Sequence, residues 1–279
     1  MRLASSMPWA ALPALLLLAA PAAARGADPE AEHCMNLEEK FSSEEAIVGC
    51  TAMIDSGRYS GANLSGVYNN RGIAYRNQRD NPRALADFSE AIRINPQSSI
   101  AYRNRGDIYL RMNDPRRAIA DFDEAIRITP AFAAAYQNRA RGYGMLGQHG
   151  RAAADMRVAV EITPDHPVRQ EILCWSLALA NEDLAAARAA CDASLKLKPD
   201  ASNTYDSRAM VGLKQKRYQD AWNDYDAAVR LDSKSAHSLY GRGIAALRLG
   251  RAAGKADIER ARTMDPAVTR QYESYGEAP

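Results

Sequence analysis

The residues best suited to chemistry in this 279-residue sequence are four cysteines and four histidines. The cysteines are Cys34, Cys50, Cys174 and Cys191, and the histidines are His33, His149, His166 and His237. The sequence contains no Cys-x-x-Cys, and no histidine has a companion at the spacing of a zinc site, so we expect no metal. An even number of cysteines is compatible with disulfides in an oxidising compartment, and reduced core thiols are the alternative.

Catalytic motifs are also missing from the sequence. It contains no Gly-x-Ser-x-Gly, phosphate-binding loop or His-Glu-x-x-His. The acidic pairs Glu38-Glu39 and Glu44-Glu45 are most simply solvated helix ends. We therefore expect no catalytic residue and no cofactor. An enzyme would need a set of catalytic residues that the sequence does not display.

The overall charge disfavours a nucleic-acid partner. Thirty-six Lys and Arg residues oppose 34 Asp and Glu residues, which gives a formal charge of +2. A nucleic-acid-binding protein normally has a basic stripe, and no block of like charge occurs here. The hydrophobic fraction of 47% is that of an ordinary globular protein.

Residues 1–24 have the pattern of a cleavable signal peptide. Arg2 precedes the apolar run 9–20, and Ala22, Ala23 and Ala24 form a small-residue cleavage site. An uncleaved membrane anchor is the competing interpretation, and the shortness of the run, which Pro13 interrupts and Pro21 follows, disfavours it. A lipoprotein signal is excluded because no cysteine follows the site directly. We expect a periplasmic or secreted protein, with membrane attachment only if the signal is retained.

The rest of the sequence repeats every 34 residues. Five columns of residues recur at this interval, and a period in this range predicts a stack of similar structural units. The columns are Pro96, Pro130 and Pro164; Tyr68, Tyr102 and Tyr136; Tyr75, Tyr109 and Tyr143; Phe88, Phe122 and Met156; and Ala91, Ala125 and Ala159. The interval is 35 at Pro199, Ser233 takes the next proline's place, and Pro266 ends the last repeat after 33 residues.

Each repeat has the pattern of two helices. With the terminal proline numbered position 32, the first helix carries aromatics at positions 4 and 11 and a small residue at 8. The second carries small residues at 20 and 27 and a bulky residue at 24, so each helix has one packing face. The proline ends the second helix. Trp175 stands at position 8 of the fourth repeat, where a small residue is usual.

This pattern resembles the tetratricopeptide repeat family. The resemblance implies an all-α fold, a right-handed superhelical solenoid of antiparallel helix pairs. It covers six repeats at residues 65–266. Residues 28–60 resemble a degenerate helical hairpin, and residues 267–279 a capping helix and tail that would cover the last repeat.

An Arg–Asp pair recurs at positions 7 and 23 of five repeats. The arginines are Arg71, Arg105, Arg139, Arg208 and Arg242, and the aspartates are Asp87, Asp121, Asp155, Asp224 and Asp257. The fourth repeat lacks both, with Cys174 and Ala190 in these places. Because the two residues are present or absent together, we expect an ion pair that fixes the register of each hairpin, with a row of ligand-binding arginines as the alternative.

The cysteines fall in two repeat units. Cys174 and Cys191 take positions 7 and 24 of the fourth repeat, and Cys34 and Cys50 take about positions 8 and 24 of the degenerate unit. Each pair would therefore join the two helices of one hairpin. We expect disulfides Cys34–Cys50 and Cys174–Cys191, each stabilising the fold by roughly 3 kcal/mol in the chain-entropy model.

The resemblance also implies that the first helices line a concave groove that binds a peptide or helix of another protein. The groove candidates are Asn69, Ile73, Arg76, Arg103, Asp107, Arg111, Gln137, Arg141, Arg169, Met210, Leu213, Tyr240, Ile244 and Leu247. Its N-terminal half is rich in arginine, and its C-terminal half is more apolar. Tyr240, Met210 and Leu213 are expected to contribute most of the binding energy.

Some members of the family clamp a C-terminal carboxylate, and the match to that pattern here is partial. Arg103, Asn138 and Arg169 fit it, whereas Asp107 and Leu173 depart from it. The expected function is a non-catalytic scaffold or adaptor that binds a partner protein in the cell envelope. A structural or assembly subunit that self-associates through the solenoid ends is the alternative.

Overall fold

The computed structural model describes residues 29–35 and 40–279, and the candidate signal peptide and Glu38-Glu39 lie outside these ranges. The described residues form α-helices and no strand. The helices are α1 (Pro29–Met35), α2 (Ser43–Asp55), α3 (Gly61–Asn77), α4 (Asn81–Ile94), α5 (Ser99–Arg111), α6 (Pro115–Ile128), α7 (Ala133–Met145), α8 (His149–Ile162), α9 (Pro167–Ala180), α10 (Leu184–Leu197), α11 (Ser202–Lys214), α12 (Tyr218–Leu231), α13 (Ala236–Arg248), α14 (Gly254–Met264) and α15 (Val268–Ser274).

Helices α1 to α14 pack as seven successive hairpins. Each odd-numbered helix packs on the even-numbered helix that follows, and each hairpin packs on the next along the chain. This arrangement confirms the all-α solenoid. Helix α15 packs on α13 and α14. Within the described ranges, no helix is both long and apolar enough to span a bilayer.

The helix boundaries follow from local sequence chemistry. Asp80 and Asp114 cap α4 and α6, and their carboxylates accept hydrogen bonds from the backbone N–H groups of Arg83 and Arg117 at 3.0 and 3.1 Å. A proline in the first turn of each helix fits there because it lacks only an N–H that has no intrahelical partner. Asn113 has a φ of 59° in the preceding turn, and asparagine tolerates this left-handed conformation.

The small residue at position 8 allows the two helices of a hairpin to approach closely. A Cβ atom added to Gly106 would lie 2.6 Å from the ring of Phe122, and one added to Gly72 would lie 2.7 Å from the ring of Phe88. Both rings are fully buried. The glycine of the first helix and the aromatic residue of the second therefore form one close-packed contact.

All five Arg–Asp pairs form bidentate ion pairs within their hairpins. In the third repeat, the Nε and Nη2 atoms of Arg139 donate to the two carboxylate oxygens of Asp155 at 2.8 and 2.6 Å. The equivalent pairs are Arg71–Asp87, Arg105–Asp121, Arg208–Asp224 and Arg242–Asp257. The predicted ion pair within each of these hairpins is confirmed.

Each of these arginines also links its hairpin to the preceding one. The Nη1 atom of Arg139 donates to Asp123 of α6 at 2.7 Å. The corresponding acceptors in the other repeats are Thr51, Ser89, Asp192 and Asp226, on α2, α4, α10 and α12. One guanidinium therefore bridges two successive second helices, a link that the column analysis missed.

The two predicted disulfides are confirmed. Cys34 is bonded to Cys50 between α1 and α2, and Cys174 to Cys191 between α9 and α10. Their Cα atoms lie 4.5 and 5.4 Å apart, and all four cysteines are buried. In the fourth hairpin, the covalent link stands where the second repeat has the close contact of Gly106 with Phe122.

The assignment of position 8 to Trp175 was wrong, and the reason is one extra residue in α9. This helix has 14 residues, whereas α5, α7, α11 and α13 have 13. Counted from its first residue, α9 places Cys174 at position 8 against the second helix. Trp175 moves to position 9, which belongs to the groove. Counting backward from Pro199 concealed this shift.

Candidate functional site

The concave face of the solenoid is formed by the first helices of the hairpins. Helices α3, α5 and α7 contact one another in succession, and so do α9, α11 and α13. The second helices pack against first helices. The stack therefore curves toward the first helices, whose outward-facing residues line a groove.

The chain's own C-terminal helix occupies the C-terminal half of this groove. Val268 and Tyr272 of α15 are fully buried, and the Tyr272 ring lies 4.9 Å from the ring of Tyr240 on α13. The Tyr272 hydroxyl donates a hydrogen bond to the backbone carbonyl of His237 at 3.0 Å. Helix α15 thus folds onto the groove face of the last hairpin.

The tail that follows α15 continues along the groove. Lys214 of α11 donates a hydrogen bond to the carbonyl oxygen of Tyr275, and its ammonium lies 3.6 Å from the carboxylate of Glu277. Arg248 of α13 donates to the carbonyl of Ala278 at 3.1 Å. The Tyr275 ring lies 5.4 Å from the ring of Trp175. Basic groove residues therefore hold the tail through its main chain.

The apolar groove candidates are mostly buried within the chain. Met210, Leu213, Tyr240 and Ile244 are at most 2% exposed, and Leu247 is half-buried against the same core. That core also contains Val268 and Tyr272 of α15. In this conformation Met210, Leu213, Tyr240 and Ile244 pack inside the chain, and Leu247 keeps part of its surface exposed. For Tyr240, the sequence did not indicate that Tyr272 near the chain end would pack against its ring.

The N-terminal half of the groove is open and contains four arginines around one carboxylate. Asp107 of α5 accepts a hydrogen bond from Arg111 at 3.0 Å, and Arg141 of α7 lies 3.6 Å from its other oxygen. Arg76 of α3 and Arg103 of α5 lie within electrostatic range of each other and of Asp107. We call Arg76, Arg103, Arg111 and Arg141 the arginine cluster.

Two members of the arginine cluster are partly desolvated, and the one acid that acts on both is Asp107, which also contacts Arg111 and Arg141. Burial lowers the pKa of Arg76; the charge of Asp107 opposes this decrease, and the charge of Arg111 adds to it. Burial also lowers the pKa of Arg103; the charge of Arg76 lowers it further, and the charge of Asp107 opposes the decrease. The Nε of Arg103 is buried and has no hydrogen-bond partner. Both arginines would be stabilised by an additional anion.

An open cavity of about 840 Å³ adjoins the arginine cluster. Arg141 and Gln137 of α7 lie on one side, and Trp175 of α9 and Tyr275 of the tail lie on the other. Apolar contacts come from Met145, Ile172 and Leu179. This size and mixed lining suit a side chain or short segment of a partner. The chain's tail is thus one wall of the cavity.

The remaining groove candidates are engaged in contacts within the chain. Asn69 is buried, and its side-chain oxygen accepts a hydrogen bond from Asn104 at 2.8 Å. Ile73 packs against the cluster around Phe88. Arg169 donates to Gln137 at 3.1 Å and to Thr163 at 2.7 Å. Arg169 is therefore already hydrogen-bonded at the place where a carboxylate clamp would need it.

Sequence reasoning missed two groove residues, Trp175 and Glu171, because of the extra residue in α9. Glu171 accepts a hydrogen bond from Ser207 at 3.0 Å, and burial raises the pKa of its carboxyl group. Nearby, the Asp206 carboxylate lies 2.9 Å from the Nδ1 of His237. The spacing of 35 between Pro164 and Pro199 was the signal that could have located both residues.

The described part of the chain gives no indication of catalysis by a metal. Among these residues, no group of three or more histidines, cysteines, aspartates or glutamates is placed to hold a metal ion. The four cysteines are all used in disulfides. What this groove offers chemically is charge, hydrogen bonding and apolar surface.

Comparison with known proteins supports the repeat assignment. A family model described as Tetratricopeptide repeat matches residues 69–131, 105–167 and 207–267. Among curated proteins, none matches the chain.

Solved structures share the fold at low sequence identity. PilW, described as a widely conserved type IV pilus biogenesis factor, is 18% identical with a TM-score of 0.64, over 77% of this chain and 99% of PilW. Pseudomonas aeruginosa pilF is 16% identical with a TM-score of 0.59, over 76% of this chain and 95% of that chain. YrrB, described as having an unusual peptide-binding site, is 18% identical with a TM-score of 0.51, over 64% of this chain and 92% of YrrB.

Proposed function

The chain belongs to the tetratricopeptide repeat family, and we propose that it is a non-catalytic scaffold. In this proposal it binds a peptide or helix of a partner protein in the open N-terminal half of its groove. The observation that carries this proposal is the cavity of about 840 Å³ beside the arginine cluster. It combines exposed charge with apolar walls, as peptide sites commonly do. The groove residues proposed to contact the partner are Arg76, Arg103, Asp107, Arg111, Gln137, Arg141 and Met145.

We place this activity in the cell envelope or outside the cell. The two disulfides support this location, since disulfides persist in oxidising compartments. The signal-like pattern of residues 1–24 supports it as well. Sequencing the N-terminus of the protein recovered from a periplasmic extract tests the location. A start at Arg25 or Ala27 agrees with export, and an intact Met1 in the cytoplasmic fraction contradicts it.

In-cell cross-linking followed by affinity capture tests the groove as the binding site. Arg141→Ala and Met145→Ala change the open half of the groove. Arg127→Ala is the matched control, because Arg127 and Arg141 both have side chains that are 58% exposed in an ion pair, and Arg127 lies on the second helix α6. Loss of one partner with both groove variants and its retention with Arg127→Ala would support the site. An unchanged set of partners would refute it.

Light scattering on the purified chain distinguishes this function from self-assembly. At the C-terminal end, α15 covers part of the last hairpin with Val268 and Tyr272, which leaves less surface there for a second copy. We expect a monomer whose mass does not change with concentration. A mass that rises with concentration would favour the assembly subunit.

A further inference from the structure

The arginine cluster lacks enough acidic groups to balance its charge. Arg111 and Arg141 both contact Asp107, so one carboxylate serves two guanidinium groups. Arg76 and Arg103 add two further positive charges nearby. The open half of the groove therefore carries a local excess of positive charge that the nearly neutral composition of the whole chain conceals.

The same arginines have hydrogen-bonding capacity to spare. Arg103 has a buried Nε without a partner, and its Nη2 donates to the neutral side chain of Asn104 at 2.5 Å. Arg76 donates weakly to Asn77 at 3.5 Å. An incoming carboxylate would give these guanidinium groups charge-assisted hydrogen bonds in place of neutral ones.

The apolar wall of the adjoining cavity favours a partner segment with an apolar side chain. Met145 is 42% exposed, and it faces the cavity together with Ile172, Leu179 and Trp175. This surface would gain from covering by a bulky apolar or aromatic side chain. Charge and apolar contact lie side by side, so a single short segment could satisfy both.

The occupied half of the groove holds a segment of this same composition. There the chain's tail places Tyr275 against Trp175 and Glu277 against Lys214. An aromatic ring and a carboxylate two residues apart are thus bound by an aromatic ring and a basic side chain of the groove. The open half presents arginines, and the same Trp175 lines its cavity.

We propose that the partner segment is acidic and carries a bulky apolar or aromatic side chain next to its carboxylates. This proposal rests on the proposed function. The carboxylates would pair with the arginine cluster, and the apolar side chain would enter the cavity between Met145, Trp175 and Tyr275. Asp107 would oppose the acidic segment electrostatically and hold Arg111 and Arg141 in place when the groove is empty.

Selection from a display library of random twelve-residue peptides on the full oxidised chain tests this proposal. We expect the selected peptides to be enriched in Asp and Glu together with an aromatic or large aliphatic residue. Fluorescence anisotropy with labelled copies measures their affinity for variants. We expect Arg141→Ala to weaken binding by about tenfold, equivalent to the loss of one charge-assisted contact, and Arg127→Ala to leave it unchanged.

Asp107→Asn is the most discriminating variant, because its expected effect has the opposite sign. Removing the carboxylate raises the positive charge of the cluster, so we expect acidic peptides to bind several-fold more tightly and with a steeper dependence on salt. A merely structural role for Asp107 would weaken binding instead. Thermal unfolding followed by circular dichroism confirms that each variant remains folded.

The alternative outcomes separate the two proposals. Neutral or basic peptides that lose affinity in Arg141→Ala and Met145→Ala would overturn the acidic partner and leave the groove function intact. Selected peptides that bind all groove variants equally, or an absence of enrichment, would overturn both. A twelve-nucleotide oligothymidine that binds as tightly as the peptides would identify an unspecific polyanion surface and overturn the acidic segment.

Discussion

The ring of Tyr275 lies 5.4 Å from the ring of Trp175, although the two residues are a hundred positions apart in the sequence. This contact divides the groove into two halves. On one side, α15 packs on α13, and the tail contacts Lys214 of α11 and Arg248 of α13. On the other side, the arginine cluster and its cavity remain open.

The Tyr275–Trp175 contact predicts a spectroscopic change. In a Trp222→Phe background, Tyr275→Ala should expose the indole of Trp175 to water, shifting its fluorescence to longer wavelength and increasing quenching by acrylamide. Tyr59→Ala, which alters a half-buried tyrosine of the N-terminal unit, should leave both signals unchanged. Identical spectra for Tyr275→Ala and its parent would show that the tail does not cover Trp175.

The Arg139–Asp155 pair predicts a large cost for removing one partner. Asp155→Ala leaves the guanidinium of Arg139, whose side chain is 19% exposed, without its bidentate acceptor, so we expect the free energy of unfolding to fall by about 2 to 3 kcal/mol. Replacing both residues by apolar ones should cost less. Denaturation in urea measures each variant.

Glu124→Ala is the control for this ion pair, because it removes an exposed partner of Arg127 and should cost at most about 0.5 kcal/mol. Equal losses in Asp155→Ala and Glu124→Ala would contradict the structural role assigned to the hairpin pairs.

Gly106 and Gly66 make a matched pair of helical glycines with opposite expected effects. Gly106→Ala forces a Cβ against the Phe122 ring, and we expect a loss of about 1 to 3 kcal/mol. In α3, a Cβ added at Gly66 has no atom within 4 Å, so Gly66→Ala should raise the free energy of unfolding by roughly 0.5 to 1 kcal/mol. Thermal unfolding of both variants checks the signs. Stabilisation by Gly106→Ala would refute the close hairpin contact.

Much of this architecture could be predicted from the sequence because it repeats. The recurring proline, tyrosine and alanine columns predicted the helix pairs. The Arg–Asp pairing was predicted because each repeat has both residues or neither. The cysteine positions gave both disulfides. These features depend on contacts within one unit or with its neighbour, so a periodic sequence encodes them directly.

Two features of the site could not be predicted in this way. The extra residue in α9 lies after Trp175, so the register that ends at Pro199 places Trp175 one position, or about 100° around the helix, away from its true place in the groove. The packing of Tyr240 against Tyr272 depends on α15, a segment outside the repeat, and periodicity says nothing about where α15 packs.

The buried carboxyl group of Glu171 should make the stability of the protein depend on pH. Burial raises its pKa in the folded state, so its contribution to stability is greatest below the pKa of the unfolded chain and is lost as pH rises through the folded value. Glu171→Gln keeps an acceptor for Ser207 and should stabilise the protein by roughly 1 kcal/mol at neutral pH. At pH 4 the difference should be small.

Urea denaturation at pH 4 and pH 7 measures this difference. Glu161→Gln, at an exposed position of α8, is the control and should change little at either pH. A destabilising effect of Glu171→Gln at neutral pH would show that the carboxylate is favourable in its charged form, contrary to this account.

Site-specific photo-cross-linking in the cell tests most directly where the partner binds. A benzoylphenylalanine is introduced at Met145 in the open half of the groove or at Met264 at the end of α14, two methionines that are 42% and 39% exposed. We predict a cross-linked partner from residue 145 that an acidic selected peptide displaces, and none from residue 264. A partner captured equally from both, or from residue 264 alone, would contradict the groove as the binding site.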